Sequence, residues 1–276
     1  IELEEILSLL QEGSFTRNKQ EALLILAYYF ASQDRWNLAK TYASLAISWL
    51  SHEPRQGGEG QEIVDSYLLQ ALCLRMMGRN NLADYDEARY VLGEARKLKS
   101  DDPRLLTEEA TVIFHWIDVG EQKVREKAQR DISVAEEDCE KVLQLLGDSS
   151  EPEALKLKVK LLNNRCDYLL NRDDESSHER AARDLHQFLS LQEQIDPNRS
   201  NWPPAMIETE LWSNWRLTPK ESDEEVYARR LRGLIRQYED LLKRPDIPKA
   251  FRDEMTARSR IIERAYEASK SQILLS

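Results

Sequence analysis

Turn-forming residues are scarce in this sequence. Nine glycines and nine prolines are spread over 276 residues, which is too few for the many tight turns that a protein of short strands needs. Hydrophobic residues make up 41% of the chain, enough to build a large core, and 32% of the residues are charged. This composition favours an all-α fold and argues against a sheet protein.

Cysteines and long apolar runs are also scarce. Cys73, Cys139 and Cys166 are far apart and form no CxxC pair or Cys/His cluster, so a disulfide framework is not expected and a reduced, cytoplasmic setting is favoured. No run of 18 apolar residues is long enough to cross a membrane. The chain begins at Ile1 with no visible signal peptide, and we expect it to be an excised piece of a larger scaffold or signalling protein.

The charge of the chain is predominantly of one sign. Its net charge is -11 and its pI about 5.1, and an acidic surface repels phosphate, so we expect no nucleic acid and no membrane partner. The segment from Leu217 onward differs, with 13 lysine and arginine residues against 11 acidic ones. In that segment, Arg229, Arg232 and Arg236 share one predicted helix face. They could bind an acidic partner, but pairing with the chain's own acids, such as Glu225 and Glu239, is the favoured interpretation.

Apolar residues recur at steps of three and four, which is the period of an amphipathic helix. The clearest stretch runs from Glu21 to Ser51, where two helices are joined by a polar turn with Asp34 as the expected N-cap. Four further helix pairs and a final helix follow. Their expected starting signals are Asp84-x-x-Glu87, Pro103, Ser150-x-x-Glu153, Ser176-x-x-Glu179 and Ser222-x-x-Glu225.

The helix pairs recur at a nearly constant distance along the chain. One small residue in the second helix of each pair, taken as Ala39, Ala88, Ala135 and Ala182, gives separations of 49, 47 and 47 residues. Such a period is typical of a helical solenoid. We therefore predict about 11–12 helices in a single α-solenoid domain over 1–276. Helix pairs would fill 1–200, and a degenerate repeat with a polar C-terminal capping helix would fill 201–276.

The first two pairs resemble tetratricopeptide repeats over residues 20–103, and the resemblance weakens toward Leu191. The residues that fit the family's small positions are Ala27, Ala39, Ala46, Ala71, Gly78, Ala88 and Ala95, once an insert of about five residues is allowed in the second pair. The resemblance implies a right-handed solenoid of helical hairpins. It also implies a protein-binding scaffold that holds a peptide or partner segment in a concave groove lined by the first helix of each pair.

The same resemblance places candidate partner-binding residues on the first helices. The family's groove positions that we single out are Tyr28, Arg75, Phe114 and His115. Leu24 and Tyr28 stand where some family members carry the Lys and Asn that clamp a C-terminal carboxylate, so a chaperone-tail clamp is not expected. In the fourth pair, a polar stripe lies opposite the apolar seam. It is either a solvated face or a patch that hydrogen-bonds a peptide backbone, and it consists of Lys160, Asn164, Asp167 and Asn171.

No catalytic or metal-binding motif stands out in the sequence. It contains no HExxH, P-loop, GxSxG or dinucleotide fingerprint, and His52, His115, His178 and His186 form no pair at one-turn spacing. We therefore expect no catalytic residue, no metal site and no cofactor. The alternative to a protein-binding module is a regulatory sensor domain in which Arg75, His115 and Lys160 converge on a small anionic ligand. An enzyme on a helical scaffold is the third and least favoured hypothesis.

Overall fold

The fold is described by a computed structural model over residues 16–51, 60–79, 81–120, 129–218 and 223–275. Within these ranges the chain forms eleven α-helices and one short 3-10 turn, with no strand. The all-α prediction is therefore confirmed. The apolar residues Ile1, Leu3, Ile6, Leu9 and Leu10 predict a short amphipathic helix over 2–10. That segment and His52 lie outside the described residues.

The chain divides into two compact units, residues 1–147 and 148–276. Whether one domain extends over 1–276 stays a prediction, and each unit is described by itself. The helices of unit 1 are α1 (Thr16–Ser32), α2 (Trp36–Ser51), α3 (Gly60–Gly78), α4 (Leu82–Arg96), α5 (Pro103–Val119) and α6 (Gln129–Leu146). Those of unit 2 are α7 (Pro152–Leu170), α8 (Glu175–Ile195), α9 (Pro204–Arg216), α10 (Glu224–Leu242) and α11 (Lys249–Leu275). The 3-10 turn, Arg199–Asn201, lies between α8 and α9.

In unit 1, consecutive helices form hairpins that pack on the next hairpin. Helix α3 contacts α1, α2, α4 and α5, and small residues occupy the points of closest contact. These residues have no exposed surface, as the apolar pattern predicted; they include Ala27, Ala39, Ala43, Ala46, Ala71, Ala88, Ala95 and Ala135.

Ion pairs join α2 to α4 and α4 to α6, which are the second helices of the three hairpins in unit 1. Lys40 on α2 lies 2.7 Å from Glu87 on α4, and Arg89 on α4 lies 2.6 Å from Asp131 on α6. These pairs are partly exposed, so each contributes little to stability. Because their geometry requires particular helix neighbours, they are consistent with the ordered stacking of the hairpins.

In unit 2, α10 and α11 pack against each other over an apolar cluster that also includes Leu211 of α9. The buried members of this cluster from α10 and α11 are Leu231, Leu234, Tyr238, Leu241, Met255 and Ile262. Helix α7 packs against α8 and α9. The outward face of α11 is mainly polar, with Ile261 as an exception at 41% exposure.

The predicted rotation of α8 is wrong by one residue. Ala182 is exposed, whereas Ala181 and Phe188 are fully buried. The helix begins earlier than expected because Asp174, not Ser176, is its N-cap and accepts a 2.8 Å hydrogen bond from the Ser177 N–H. Asp184 also faces inward, since it pairs with Arg165 of α7. The regular spacing of alanines therefore fails at its last member.

Several other predicted caps are also wrong. Asp34 has a left-handed φ of 56° in the turn between α1 and α2, and its N–H donates to Ala31 O at 3.1 Å, so it closes α1 instead of capping α2. Asn81 caps α4 in place of Asp84, Glu151 occupies the N-cap position of α7 in place of Ser150, and Asp223 caps α10. Ser222 lies outside the described residues. The start of α5 is as predicted, with Pro103 at the first helical position after Asp102.

Gly78 provides a test of the packing between α3 and α4. A Cβ at this position would lie 2.7 Å from the ring of the fully buried Tyr85. We expect Gly78→Ala to lower the free energy of unfolding by about 1–3 kcal/mol, because the added methyl group would force a fully buried ring to shift. Urea denaturation measures this change.

The matched control is Gly93→Ala in α4, where no atom lies within 4 Å of an added Cβ. This change should raise the free energy of unfolding by up to about 1 kcal/mol, because alanine is the better helix former. Equal effects of the two substitutions would contradict the close approach of Gly78 to Tyr85.

Candidate functional site

An exposed tyrosine marks the first candidate surface in unit 1. Tyr28 on α1 is 55% exposed and lies near Asp65 of α3 and Arg104 of α5, whose charges act on its hydroxyl. The pKa of Tyr28 is raised, first by partial burial of the phenol and then by the Asp65 carboxylate, while Arg104 opposes the shift. We call these three residues the Tyr28 surface.

Arg104 is held in place from two sides at the start of α5. Its Nη1 donates to Asp65 Oδ1 at 2.7 Å, and its Nη2 donates to Asp102 Oδ2 at 2.9 Å. Asp102 also accepts the Arg104 backbone N–H at 2.9 Å as the helix N-cap. Burial would raise the pKa of Asp102, but the hydrogen bonds and charge of Arg104 hold it below its ordinary value. Arg104 is thus held between Asp65 of α3 and Asp102, the N-cap of α5, and its position at the polar edge of the Tyr28 surface is fixed.

Arg75 does not lie on this open surface. Its side chain is buried, and its Nε donates to Glu108 Oε1 of α5 at 2.7 Å. A guanidinium enclosed between helices requires such a carboxylate, because an unpaired buried charge is strongly destabilising. The sequence expectation that Arg75 faces a groove or an anion is therefore replaced by a structural role between α3 and α5.

Phe114 is also buried, at 1% exposure, and His115 is half-buried. Helix α5 is enclosed on most of its faces, including the one expected to line a groove. Thr107 and Thr111 can be buried there because their hydroxyls donate to carbonyls one turn earlier, at 2.7 Å each. An open surface over the first helices therefore reaches only the start of α5.

The polar stripe predicted on α7 is used partly within unit 2. Asp167 pairs with Arg258 of α11 at 2.8 Å, and Asn171 Oδ1 accepts the indole N–H of Trp212 on α9 at 3.2 Å. Lys160 and Asn164 are half-buried on the same helix. The second half of the stripe therefore connects helices, and a peptide would have to displace these internal bonds to use it.

Arg258 is the centre of a buried polar cluster in unit 2. Its guanidinium lies 2.6 Å from Glu208 of α9 and 2.8 Å from Asp167, with Glu254 of its own helix 3.3 Å away. The Tyr238 hydroxyl of α10 donates to Glu208 at 3.1 Å. Four helices thus contribute to one cluster, in which three carboxylates surround one guanidinium.

Within this cluster, burial changes the ionisation of Glu208. Burial, together with the charges of Asp167 and Glu254, raises the pKa of Glu208 to about 7, and Arg258 opposes the shift. A carboxyl group with such a pKa is suited to proton transfer. However, Glu208 is buried, and Arg258 and Tyr238 already engage its oxygens, so this geometry favours a structural role over catalysis.

Sequence reasoning missed the buried ion pairs of Arg75 and Arg258. The partners of Arg75 and Arg258 lie 33 and 50 residues away along the chain, so no local spacing connects them. A weak signal was available in Arg75, which stands alone as a charge in the apolar run LLQALCLRMMG at 68–78. An isolated charge in such a run predicts a buried partner on another helix.

The described ranges offer neither a metal centre nor a membrane span. They hold no group of three or more His, Cys, Asp or Glu side chains placed to bind a metal ion. None of the helices in these ranges is long and apolar enough to cross a membrane.

The cluster around Arg258 predicts a dependence of stability on pH. Between the ordinary pKa of a glutamate and a value of about 7, folded Glu208 keeps a proton that the unfolded chain has released. The free energy of unfolding should therefore fall as pH rises from 5 to 8, by an amount on the order of 2 kcal/mol. Urea denaturation followed by tryptophan fluorescence measures this fall.

The variant Glu208→Gln should show a smaller fall over the same range, because glutamine cannot ionise. Asp138 of unit 1, whose pKa burial raises to about 6, contributes a fall of the same sign, so the difference between the two proteins is the relevant quantity. Glu153→Gln, at an exposed position of α7, is the control. Parallel pH profiles for wild type and Glu208→Gln would show that Glu208 does not titrate in this range.

The buried pair between α3 and α5 gives a second prediction. Glu108→Ala should lower the free energy of unfolding by about 3–5 kcal/mol, because it leaves Arg75 charged and unpaired in the core. The double variant Arg75→Met/Glu108→Leu should cost clearly less, since no buried charge remains. Chemical denaturation of both proteins measures the difference, and a double variant as unstable as Glu108→Ala would contradict this explanation.

Comparison with protein-family models and with curated proteins gave no match to this sequence. The tetratricopeptide resemblance therefore depends on this chain's own residues, among them Ala27, Ala39 and Gly78.

Proposed function

We propose that unit 1 is a tetratricopeptide-like protein-binding module that takes a peptide or partner helix on the Tyr28 surface. The observation that carries this proposal is the exposed Tyr28 ring on α1 beside the Asp65–Arg104 pair of α3 and α5. In this proposal the hairpins stack as a right-handed solenoid, and the module functions as a scaffold without catalytic activity.

The chemistry of the Tyr28 surface supports a protein partner. Tyrosine is among the residues that contribute most to binding at interfaces, because it offers a large rigid ring with a polar end. Leu24, one turn before Tyr28, is half-buried and extends the apolar area on α1. The adjoining ion pair is 35–39% exposed at its two side chains, which provides a polar rim beside an apolar centre.

The packing of unit 1 also supports the proposal. In the family, small residues at fixed positions let the two helices of a repeat and its neighbour approach closely. Here the residues that carry the resemblance are all buried at helix contacts, and Gly78 lies directly against Tyr85.

The proposed surface is smaller than the sequence predicted. Arg75 and Phe114 are buried, and Asp167 belongs to an internal pair, so we do not include them. The expected ligand has an apolar side chain that packs on the Tyr28 ring and polar groups that face Asp65 and Arg104. The position of Arg75 argues against the sensor alternative, because its guanidinium is already paired with Glu108.

The proposal is tested by selecting peptides from a random display library on the whole chain and measuring their Kd. We expect Tyr28→Ala to weaken the selected peptides by about tenfold or more, since a central aromatic anchor contributes about 2 kcal/mol or more to binding. Circular dichroism should show an unchanged fold, because the side chain is largely exposed.

Tyr90→Ala is the matched control, because Tyr90 is 69% exposed on α4. Its binding should equal that of the wild type. Peptides that bind equally well to wild type and Tyr28→Ala, or that lose affinity equally in both variants, would refute binding at the Tyr28 surface.

A further inference from the structure

Three arginines on α10 form an exposed surface, and none of them has an ion-pair partner among the residues that the structure describes. Arg229, Arg232 and Arg236 are all exposed, and they lie opposite the buried side of the helix, which includes Leu231 and Tyr238. We call these arginines, together with Gly233 between them, the arginine face.

Other arginines in the described ranges form ion pairs with acidic residues of neighbouring helices, and the three arginines of the arginine face do not. Arg75, Arg165 and Arg258 are examples of the paired kind. Glu225 and Glu239 are one turn from the arginine face, but no ion pair joins them to it within the described part of the chain. The favoured sequence interpretation, pairing along α10, is therefore not what the structure has.

Unpaired arginines at these steps repel one another. Residues three and four apart are neighbours on a helix surface, and like charges there destabilise the helix. Carboxylates supplied from outside would remove this repulsion and form charge-assisted hydrogen bonds with the guanidinium groups. The free chain therefore has a like-charge repulsion at this face, and an acidic partner would relieve it.

Gly233 leaves open space beside the guanidinium groups of the arginine face. It lies within α10, where glycine is the least favourable residue apart from proline, and no atom of the structure lies within 4 Å of an added Cβ. Packing within the chain therefore does not require a glycine here. Because Arg229 is four residues before it and Arg236 three after it, a partner backbone that approaches Gly233 would lie between two guanidinium groups.

We infer that the arginine face is a docking site for an acidic helix of a protein partner. The arginines extend over about 10.5 Å along the helix axis, at steps that glutamates spaced by three and four residues on a second helix would match. The net charge of -11 disfavours a long polyanion, which would also meet the acidic remainder of the chain. A single helix bound to the arginine face would interact mainly with the charges near that face. Charges further away than about 8 Å are screened at physiological salt.

The test uses the whole chain and a synthetic helical peptide of about 20 residues with glutamates at three- and four-residue steps along one side. A second peptide carries glutamine at those positions. Fluorescence anisotropy should show binding of the glutamate peptide that weakens with added salt, and no binding of the glutamine peptide. Duplex DNA and vesicles with anionic lipid are measured beside them and should bind more weakly than the glutamate peptide.

Two matched pairs of variants locate the site. Arg229→Glu/Arg236→Glu should raise the Kd of the glutamate peptide by about tenfold or more, whereas Arg130→Glu/Arg183→Glu, the same charge change at exposed positions of α6 and α8, should change it little. Gly233→Gln should weaken binding without lowering Tm, and Gly93→Gln should leave binding unchanged.

The inference is overturned if the glutamate peptide does not bind, or if both charge-reversal variants lose affinity equally. It is also overturned if DNA or anionic vesicles bind more tightly than the peptide, which would assign the face to phosphates. Because α10 belongs to unit 2, none of these outcomes decides whether the Tyr28 surface of unit 1 binds a peptide.

Discussion

A guanidinium group can be buried between two helices only where a carboxylate from one of the neighbouring helices reaches it. Within the described residues this requirement is met three times, in the pairs Arg75–Glu108, Arg165–Asp184 and Arg258–Glu208. Such pairs add little net stability compared with apolar packing, because both ions lose their hydration. Their main effect is on geometry, since each bond forms only when both helices have one particular rotation and one particular offset. We infer that these pairs select which helix faces meet, while apolar burial supplies most of the driving force.

Helix α8 illustrates how the two effects combine. Its sequence contains the adjacent pair Ala181-Ala182, so the apolar pattern alone fits two rotations that differ by one residue. The bidentate bond of Arg165 to Asp184, at 2.7 and 2.9 Å, requires the rotation that buries Ala181 and Phe188. The sequence prediction chose Ala182 because it extended a regular spacing. A regular spacing along the chain is not an interaction and contributes no stability. A buried arginine without its carboxylate partner, in contrast, would be strongly destabilising.

The difference between local apolar patterns and contacts between distant helices explains what the sequence could and could not predict. The all-α class and the buried alanines of unit 1 follow from local periodicity, since residues three and four apart share a helix face whatever surrounds them. The caps were predicted less well because patterns such as Asp84-x-x-Glu87 arise by chance in an acid-rich chain, and the residue directly before the helix decides the start. At the candidate site, Tyr28 could be identified from its position on α1. The burial of Arg75 and Phe114 could not, because it depends on how α3 and α5 pack in three dimensions.

Positive and negative side chains are out of balance at two places in unit 2. Around Arg258, inside the unit, carboxylates outnumber the guanidinium group by three to one. Burial raises the pKa of Glu208, and the neighbouring carboxylates raise it further. On the exposed side of α10, three guanidinium groups have no carboxylate partner within the described ranges. A proton from solvent can relieve the first imbalance, because Glu208 needs only to become neutral. The second cannot be relieved in this way, since arginine does not lose its proton in proteins. Relief of that repulsion beyond the screening that salt provides requires anionic groups from outside α10.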